Sequence, residues 1–264
     1  MTPLIAITMG VVQGLTEFLP ISSTAHLILL PWLFGWAEPS HTFDVALHAG
    51  TLVAVIWYFR RDWVDLAKRR DPLLLLIVVA CVPAAIAGKL LNDKVEDMVR
   101  LQEHPHMALL VAFLVAFAGL ILWAADKYGR KTRKMETITA VDAVVIGVGQ
   151  ALALAPGVSR SGATISTGLL LGLSREAAAR FSFLLSTPII FGAVALKGAT
   201  LRHAHLPPGE LRFMALGVLA SAVAGYASIH VLMEYVKSKN LNIFVIYRYL
   251  LAAGIVAAYL LKVR

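Results

Sequence analysis

The chain alternates long apolar runs with short polar loops, on a scale set by a membrane rather than by a soluble core. Crossing a hydrocarbon layer of roughly 30 Å takes about 20 apolar residues in a helix. Six runs approach or exceed that length: 42–59, 73–91, 106–125, 177–197, 213–236 and 243–262. In lipid only helices and closed barrels satisfy their own backbone groups. These runs are too long and too continuous for barrel strands, so the pattern predicts an all-α polytopic membrane protein. Two further apolar stretches are interrupted. The first, 3–34, breaks at Phe18-Leu19-Pro20-Ile21-Ser22-Ser23. The second, 139–173, breaks at Ala155-Pro156-Gly157-Val158-Ser159-Arg160-Ser161-Gly162. Their arms run to about 12–17 residues, nearer to re-entrant segments than to full spans. Each stretch is either a bent helix crossing once or a helix–loop–helix that enters and leaves on the same side.

Loop charge favours re-entry. The densest Lys/Arg clusters are Arg60-Arg61 through Lys68-Arg69-Arg70, and Lys127 through Lys134. The positive-inside rule puts both loops in the cytoplasm. The less basic loop near 92–105 then lies outside, and Lys237 and Lys239 fall inside by alternation. If both broken stretches crossed fully, Lys237 and Lys239 would move outside. The pattern therefore predicts six full transmembrane helices plus two re-entrant hairpins, the first entering from outside and the second from the cytoplasm.

The two broken stretches also resemble each other. Gly10-Val11-Val12-Gln13-Gly14-Leu15 aligns with Gly147-Val148-Gly149-Gln150-Ala151-Leu152 at an offset of 137, which puts Ser22 on Ser159 and Ser23 on Arg160. Each copy holds one broken helix followed by three spans. Three is odd, so the second copy is inverted in the membrane. The expectation is one membrane domain over residues 1–264, made of inverted repeats at approximately 1–130 and 138–264. Inverted repeats with broken helices place polar sites near the bilayer midplane.

Composition agrees. Of 264 residues, 59% are hydrophobic and 15% charged, with a mean hydropathy of +0.76, which leaves too little polar surface for a soluble domain of this size. The net charge of +8 belongs to the loops, so no nucleic-acid partner is expected. Cys81 is the single cysteine, so no disulfide within the chain forms, and its mid-span position reads as packing. The N-terminus lacks the basic segment of a cleaved signal peptide.

Charged residues inside a bilayer cost roughly 2.5–3.5 kcal/mol each on insertion scales, so ionisable and polar residues there usually have a task. Gln13 and Glu17 share a helical face at i,i+4. Ser22, Ser23, Thr24 and His26 follow. The second break offers Ser159, Arg160, Ser161 and Thr164 at the start of an apolar arm. A helix start with free N–H groups and an arginine fork suits phosphate. One break thus supplies a carboxylate, hydroxyls and an imidazole, and the other supplies anion donors. Together they suggest a site that hydrolyses a phosphoryl group held in a membrane.

The run Gln13-Gly14-Leu15-Thr16-Glu17-Phe18-Leu19-Pro20-Ile21-Ser22-Ser23-Thr24-Ala25-His26 resembles the first signature of bacterial undecaprenyl-pyrophosphate phosphatases of the BacA/UppP type. Pro156-Gly157-Val158-Ser159-Arg160-Ser161-Gly162-Ala163-Thr164-Ile165 resembles the second, and the span pattern is similar along essentially the whole chain. The resemblance implies a hydrolase that removes the terminal phosphate of the C55 polyprenyl diphosphate. That step recycles the carrier lipid of cell-wall synthesis and is linked to bacitracin resistance. It also implies a multi-pass protein of the bacterial plasma membrane with its site facing the extracytoplasmic side, and two inverted re-entrant hairpins. Carried over residue by residue, Glu17, Ser23, His26 and Arg160 are the catalytic candidates, and Ser22, Ser159, Arg160, Ser161 and Thr164 the phosphate-binding ones. A divalent cation, Mg²⁺ or Ca²⁺, is expected at Glu17 and the substrate's phosphate oxygens rather than in a site built from protein alone, with Gln13 as a further ligand. Position 13 is glutamine where many members carry glutamate, so a second carboxylate ligand is missing. Either Ser23 is the nucleophile with His26 as its base, or His26 attacks or activates water while Ser23 binds phosphate. The lipid bilayer and the lipid diphosphate are the expected partners, and a second copy of the chain is a candidate one.

Each residue has a plainer reading. Gln13 serves as interhelix glue, Ser22 and Ser159 as N-caps, Ser161 and Thr164 as back-bonded helix residues, and Arg160 as an ion-pair partner of Glu17. Asp44 and His48, spaced i,i+4 in the span beside the first break, are candidates to line the site. His104, His106, His203 and His205 fall in expected outer loops. The rival class is a transporter or flippase for polyprenyl phosphate, because inverted repeats with broken helices are typical of secondary transporters. Against it stands the Ser-Ser-x-x-His run beside Glu17, which an anion carrier does not need.

Overall fold

In the computed structural model, residues 1–98, 101, 104–201 and 209–262 are described. The expected positions His203 and His205 lie outside them. The described chain is helical: α1 (Pro3–Phe18), α2 (Ser23–Phe34), α3 (His41–Tyr58), α4 (Arg60–Arg69), α5 (Leu73–Met98), α6 (Met107–Tyr128), a 3₁₀ turn (Met135–Thr137), α7 (Ala140–Leu152), α8 (Arg160–Leu170), α9 (Arg175–Leu201), α10 (Glu210–Tyr235) and α11 (Asn242–Lys262). Among the described residues α5, α6, α9, α10 and α11 are each long and apolar enough to cross a membrane. The sixth expected span, 42–59, is α3, which reaches that length and composition only together with α4, from which it is bent by 62°. Residues 60–69, expected as loop, are thus a helix. Its sequence explains this: Asp62 lies in the first turn, Lys68 and Arg69 in the last, a distribution that complements the helix dipole.

The surface is apolar, as lipid requires. Leu4, Leu75, Leu196 and Leu261 are among many large apolar side chains that face outward. Small polar residues sit inside and bond across helices. Ser221 Oγ donates to the Leu47 carbonyl (2.8 Å), Ser228 Oγ to that of Gly14 (2.9 Å), and the Thr164 and Ser182 hydroxyls share a bond of 2.6 Å.

Both interrupted stretches are hairpins. Pro20 ends α1, and Pro156 and Gly157 lie in the break after α7. The return of the second hairpin is fixed by contacts at its mouth. The Arg133 guanidinium bonds Asp142, in the first turn of α7, and the Leu171 carbonyl. The Arg133 backbone pairs with Gly172 and Ser174. The start of α7, the end of α8 and the start of α9 therefore share one place. In the first hairpin α1 runs parallel to α10. Gly10 meets Gly217, Gly14 meets Ser221, and Phe18 reaches Gly225, partway down the longer helix. After α2 the chain returns to the end where α1 began, since Ser40, the N-cap of α3, bonds Glu210 at the start of α10.

The 137-residue offset seen in the sequence recurs in the packing. A Cβ on Gly10 would lie 2.5 Å from the Gly217 carbonyl oxygen, and one on Gly147 would lie 2.5 Å from that of Ala80. Position 10 maps to 147 and 80 to 217 at the same offset. Backbones approach this closely only where side chains are absent. The ends differ in charge. Asp126 accepts from Arg175 and from the Leu241 amide, and Arg180 pairs with Asp62. These bonds gather the basic segments 60–70, 127–134 and 237–239 at one end of the bundle.

Candidate active site

The two breaks meet inside the bundle. Each return arm starts from a serine N-cap with a left-handed φ: Ser22 at 75° and Ser159 at 73°. Such a φ costs a non-glycine residue of order 1–3 kcal/mol and persists where the surroundings over-determine it. Each serine hydroxyl accepts from the amide three residues on, Ala25 N at 3.4 Å and Gly162 N at 3.1 Å. The next residue is then the first of its helix: Ser23 in α2, Arg160 in α8. A hydroxyl and a guanidinium thus hold matching places in the two copies.

Glu17 joins them. Its Oε2 accepts from Ser23 Oγ at 2.6 Å and from Gln13 Nε2 at 3.1 Å, and its Oε1 accepts from Arg160 Nη2 at 2.8 Å. The Arg160 Nη1 is buried with no partner among the described residues. A cavity of about 200 Å³ opens here. Its polar wall is Glu17, Ser22, Ser23, Thr24, His48, Ser159 and Arg160, and Ile189, Ile190, Ala193 and Ala153 form its apolar side. Two helix starts, α2 and α8, contribute to the polar wall, so the partial positive charge of both dipoles and a guanidinium act on one space. The cavity suits a phosphate group with an apolar tail beside it.

Several expected roles change. Ser22 and His26 do share a face, but the bond runs from His26 Nδ1–H to the Ser22 carbonyl at 2.7 Å, not to its hydroxyl. That carbonyl only accepts, so Nε2 is left as acceptor, and it takes the Tyr247 hydroxyl proton at 2.7 Å, with the two rings stacked. Both nitrogens of His26 are engaged, and it does not line the cavity. Ser23 bonds Glu17 and not His26, the partner expected for it in one of the two alternatives. Ser161 and Thr164 are also off the cavity. Ser161 Oγ donates to the Leu19 carbonyl across the two breaks (3.0 Å), and Thr164 Oγ to the Arg160 carbonyl (2.9 Å). These bonds tie the loops together. Gln13 is fully buried behind Glu17.

The donor set does not form a protein-held cation site. Among the described residues no group of three His, Cys, Asp or Glu side chains stands together. Both oxygens of Glu17 already accept hydrogen bonds, one from an arginine. A cation there would sit against a guanidinium, so Glu17 and Gln13 do not fit as its ligands.

Sequence reasoning missed Arg248. It is fully buried on α11. Its Nε donates to the Pro20 carbonyl (2.8 Å), and its Nη2 donates to those of Gly157 (3.2 Å) and Val158 (2.7 Å). One side chain thus ties both break loops together. An arginine within the apolar run 243–262 is itself a signal that polar business lies nearby. Thr24, which lines the cavity, and Tyr247, which donates to His26, were likewise given no role.

The family model for bacitracin resistance protein BacA matches residues 6–254. An undecaprenyl-diphosphatase of Geobacter metallireducens is 49% identical over 268 residues, covering 97% of this chain and 97% of that protein. One from Moorella thermoacetica is 47% identical over 270 residues, covering 99% and 100%. One from Caldicellulosiruptor bescii is 46% identical over 270 residues, covering 99% of each.

Proposed function

The chain belongs to the bacitracin resistance protein BacA family, and from that premise we propose that it is an undecaprenyl-diphosphatase whose reaction runs at Glu17, Ser23 and Arg160. It is a multi-pass membrane hydrolase that converts the C55 lipid diphosphate to the monophosphate and inorganic phosphate. This returns the carrier lipid to cell-wall synthesis and underlies resistance to bacitracin. The observation that carries the site assignment is Glu17 shared between Ser23 and Arg160, with Arg160 Nη1 left without a partner. A nucleophile needs a base within hydrogen-bond reach, and Ser23 has one at 2.6 Å. A buried N–H donor left unmade is costly, and a phosphate oxygen satisfies it. Arg160 and the α2 and α8 starts hold the terminal phosphate while Ser23 Oγ attacks phosphorus and its proton passes to Glu17. The apolar wall at Ile189, Ile190 and Ala193 takes the first isoprene units.

The membrane arrangement in this reading has α3, α5, α6, α9, α10 and α11 crossing and the α1–α2 and α7–α8 hairpins entering from opposite faces. The hairpins and the spans that follow them form two inverted repeats. The basic end is cytoplasmic, and the site opens to the extracytoplasmic side of the bacterial plasma membrane. Mg²⁺ or Ca²⁺ would arrive with the diphosphate rather than be held by protein carboxylates, so a chelator leaves the melting temperature of the free protein unchanged. The test of the function is ³¹P NMR of purified protein with undecaprenyl diphosphate in detergent. The paired diphosphate resonances give way to a lipid monophosphate and inorganic phosphate. Unchanged diphosphate resonances with well-folded protein contradict the reading.

A further inference from the structure

We propose that His48 is the group through which the proton released by the reaction leaves the site. The proposal rests on the diphosphatase reading above. It starts from the proton balance of that chemistry. The trianionic lipid diphosphate plus water gives a dianionic lipid monophosphate, dianionic hydrogen phosphate and one proton. Ser23 Oγ forms its bond to the terminal phosphorus as the bond from that phosphorus to the bridging oxygen breaks, and the electron pair leaves on the lipid monophosphate. The hydroxyl proton passes to Glu17 Oε2, 2.6 Å away. Water then cleaves the phosphoserine, returning its own proton to Ser23 Oγ and leaving as hydrogen phosphate. One proton remains on Glu17. Until it departs, Glu17 neither accepts from Ser23 nor pairs fully with Arg160.

His48 is built to take it. Its Nδ1 lies 2.8 Å from the Asp44 carbonyl, which only accepts, so the ring hydrogen is on Nδ1 and the lone pair on Nε2. That Nε2 faces Glu17 Oε2 at 3.9 Å. Two acceptors facing each other repel unless a proton or a donor stands between them. The side chain is 35% exposed, against 7% for Glu17, and it lines the cavity, so it links the buried carboxylate to solvent. His26 has no such freedom, with both nitrogens bonded.

The neighbours of His48 leave the task to it. The charged groups facing it are Glu17 from α1 and Arg160 from α8, with Asp44 one turn back on its own helix. From α9 the cavity receives only Ile189, Ile190 and Ala193. On the α10 side, the Leu47 carbonyl beside it is held by Ser221. The α4 helix meets α3 only at its far end, around Phe59.

The test compares kcat and KM for wild type and His48→Gln with undecaprenyl diphosphate in detergent. Glutamine keeps a polar side chain of similar reach but cannot take up a proton. The expected result is a fall in kcat of about 100-fold and a change in KM below about twofold. Free imidazole restores turnover to His48→Gly, checked as folded by gel filtration, which a structural role for the ring would not allow. Wild-type kcat in His48→Gln overturns the proposal, as does folded His48→Gly that imidazole fails to rescue. Wild-type protein that releases no phosphate overturns the parent reading instead, and is told apart because the comparison never begins.

Discussion

Glu17 holds three donors at once, from Ser23, Gln13 and Arg160, so its charge rather than its shape does the work. Glu17→Gln keeps the outline and loses the charge. It is expected to lower kcat by about 10²–10⁴-fold, read as phosphate release at saturating substrate. Arg160→Lys keeps the charge but loses the planar fork that reaches both Glu17 and phosphate, and it too should lose most activity. Arg248 makes a different prediction. Arg248→Met strips donors from the carbonyls of Pro20, Gly157 and Val158, each worth about 1–3 kcal/mol when left unmade. It should lower the melting temperature in detergent as well as turnover. The meeting of Glu17, Ser23 and Arg160 was legible because a carboxylate, a hydroxyl and an arginine in apolar breaks are conspicuous. The partner of His26 was not, because Tyr247 lies 221 residues away and i,i+4 spacing says only which face a side chain occupies. Ser161 and Thr164 were left with two readings for a related reason: residue type does not tell a hydroxyl that binds a ligand from one that binds a carbonyl.

At the scale of elements, the interruptions were readable because proline, glycine and serine break an apolar pattern in only a few ways. Their left-handed serine caps were not, since nothing in the residue type of a serine announces a positive φ. The contacts of Gly10 with Gly217 and of Gly147 with Ala80 predict paired effects. Gly10→Val and Gly147→Val should each separate a hairpin arm from its long helix. Each should lower thermal stability by a similar amount, measured by melting in the same detergent. If only one of them destabilises the protein, the two approaches are not equivalent. The α4 helix escaped the sequence reading because its charges mark a loop by composition, while its amphipathic spacing and dipole-matched ends favour a helix lying across the end of α3.

At the scale of the whole molecule, residues from both hairpins line one cavity that no single segment forms. Topology tests that union. With Cys81 replaced by serine, single cysteines at Lys68 and Lys131 should resist an impermeant thiol reagent added to intact cells, while one at Glu38 should react. Labelling at position 131 from outside would reverse the second half of the arrangement. The central claim is that Ser23, held by Glu17 and set against Arg160, attacks the terminal phosphate. Its most direct test is the rate of phosphate release by Ser23→Ala at saturating undecaprenyl diphosphate, with folding checked by gel filtration. The account predicts a fall in kcat of at least about 10³-fold with little change in KM. A folded Ser23→Ala protein that keeps wild-type kcat would contradict it.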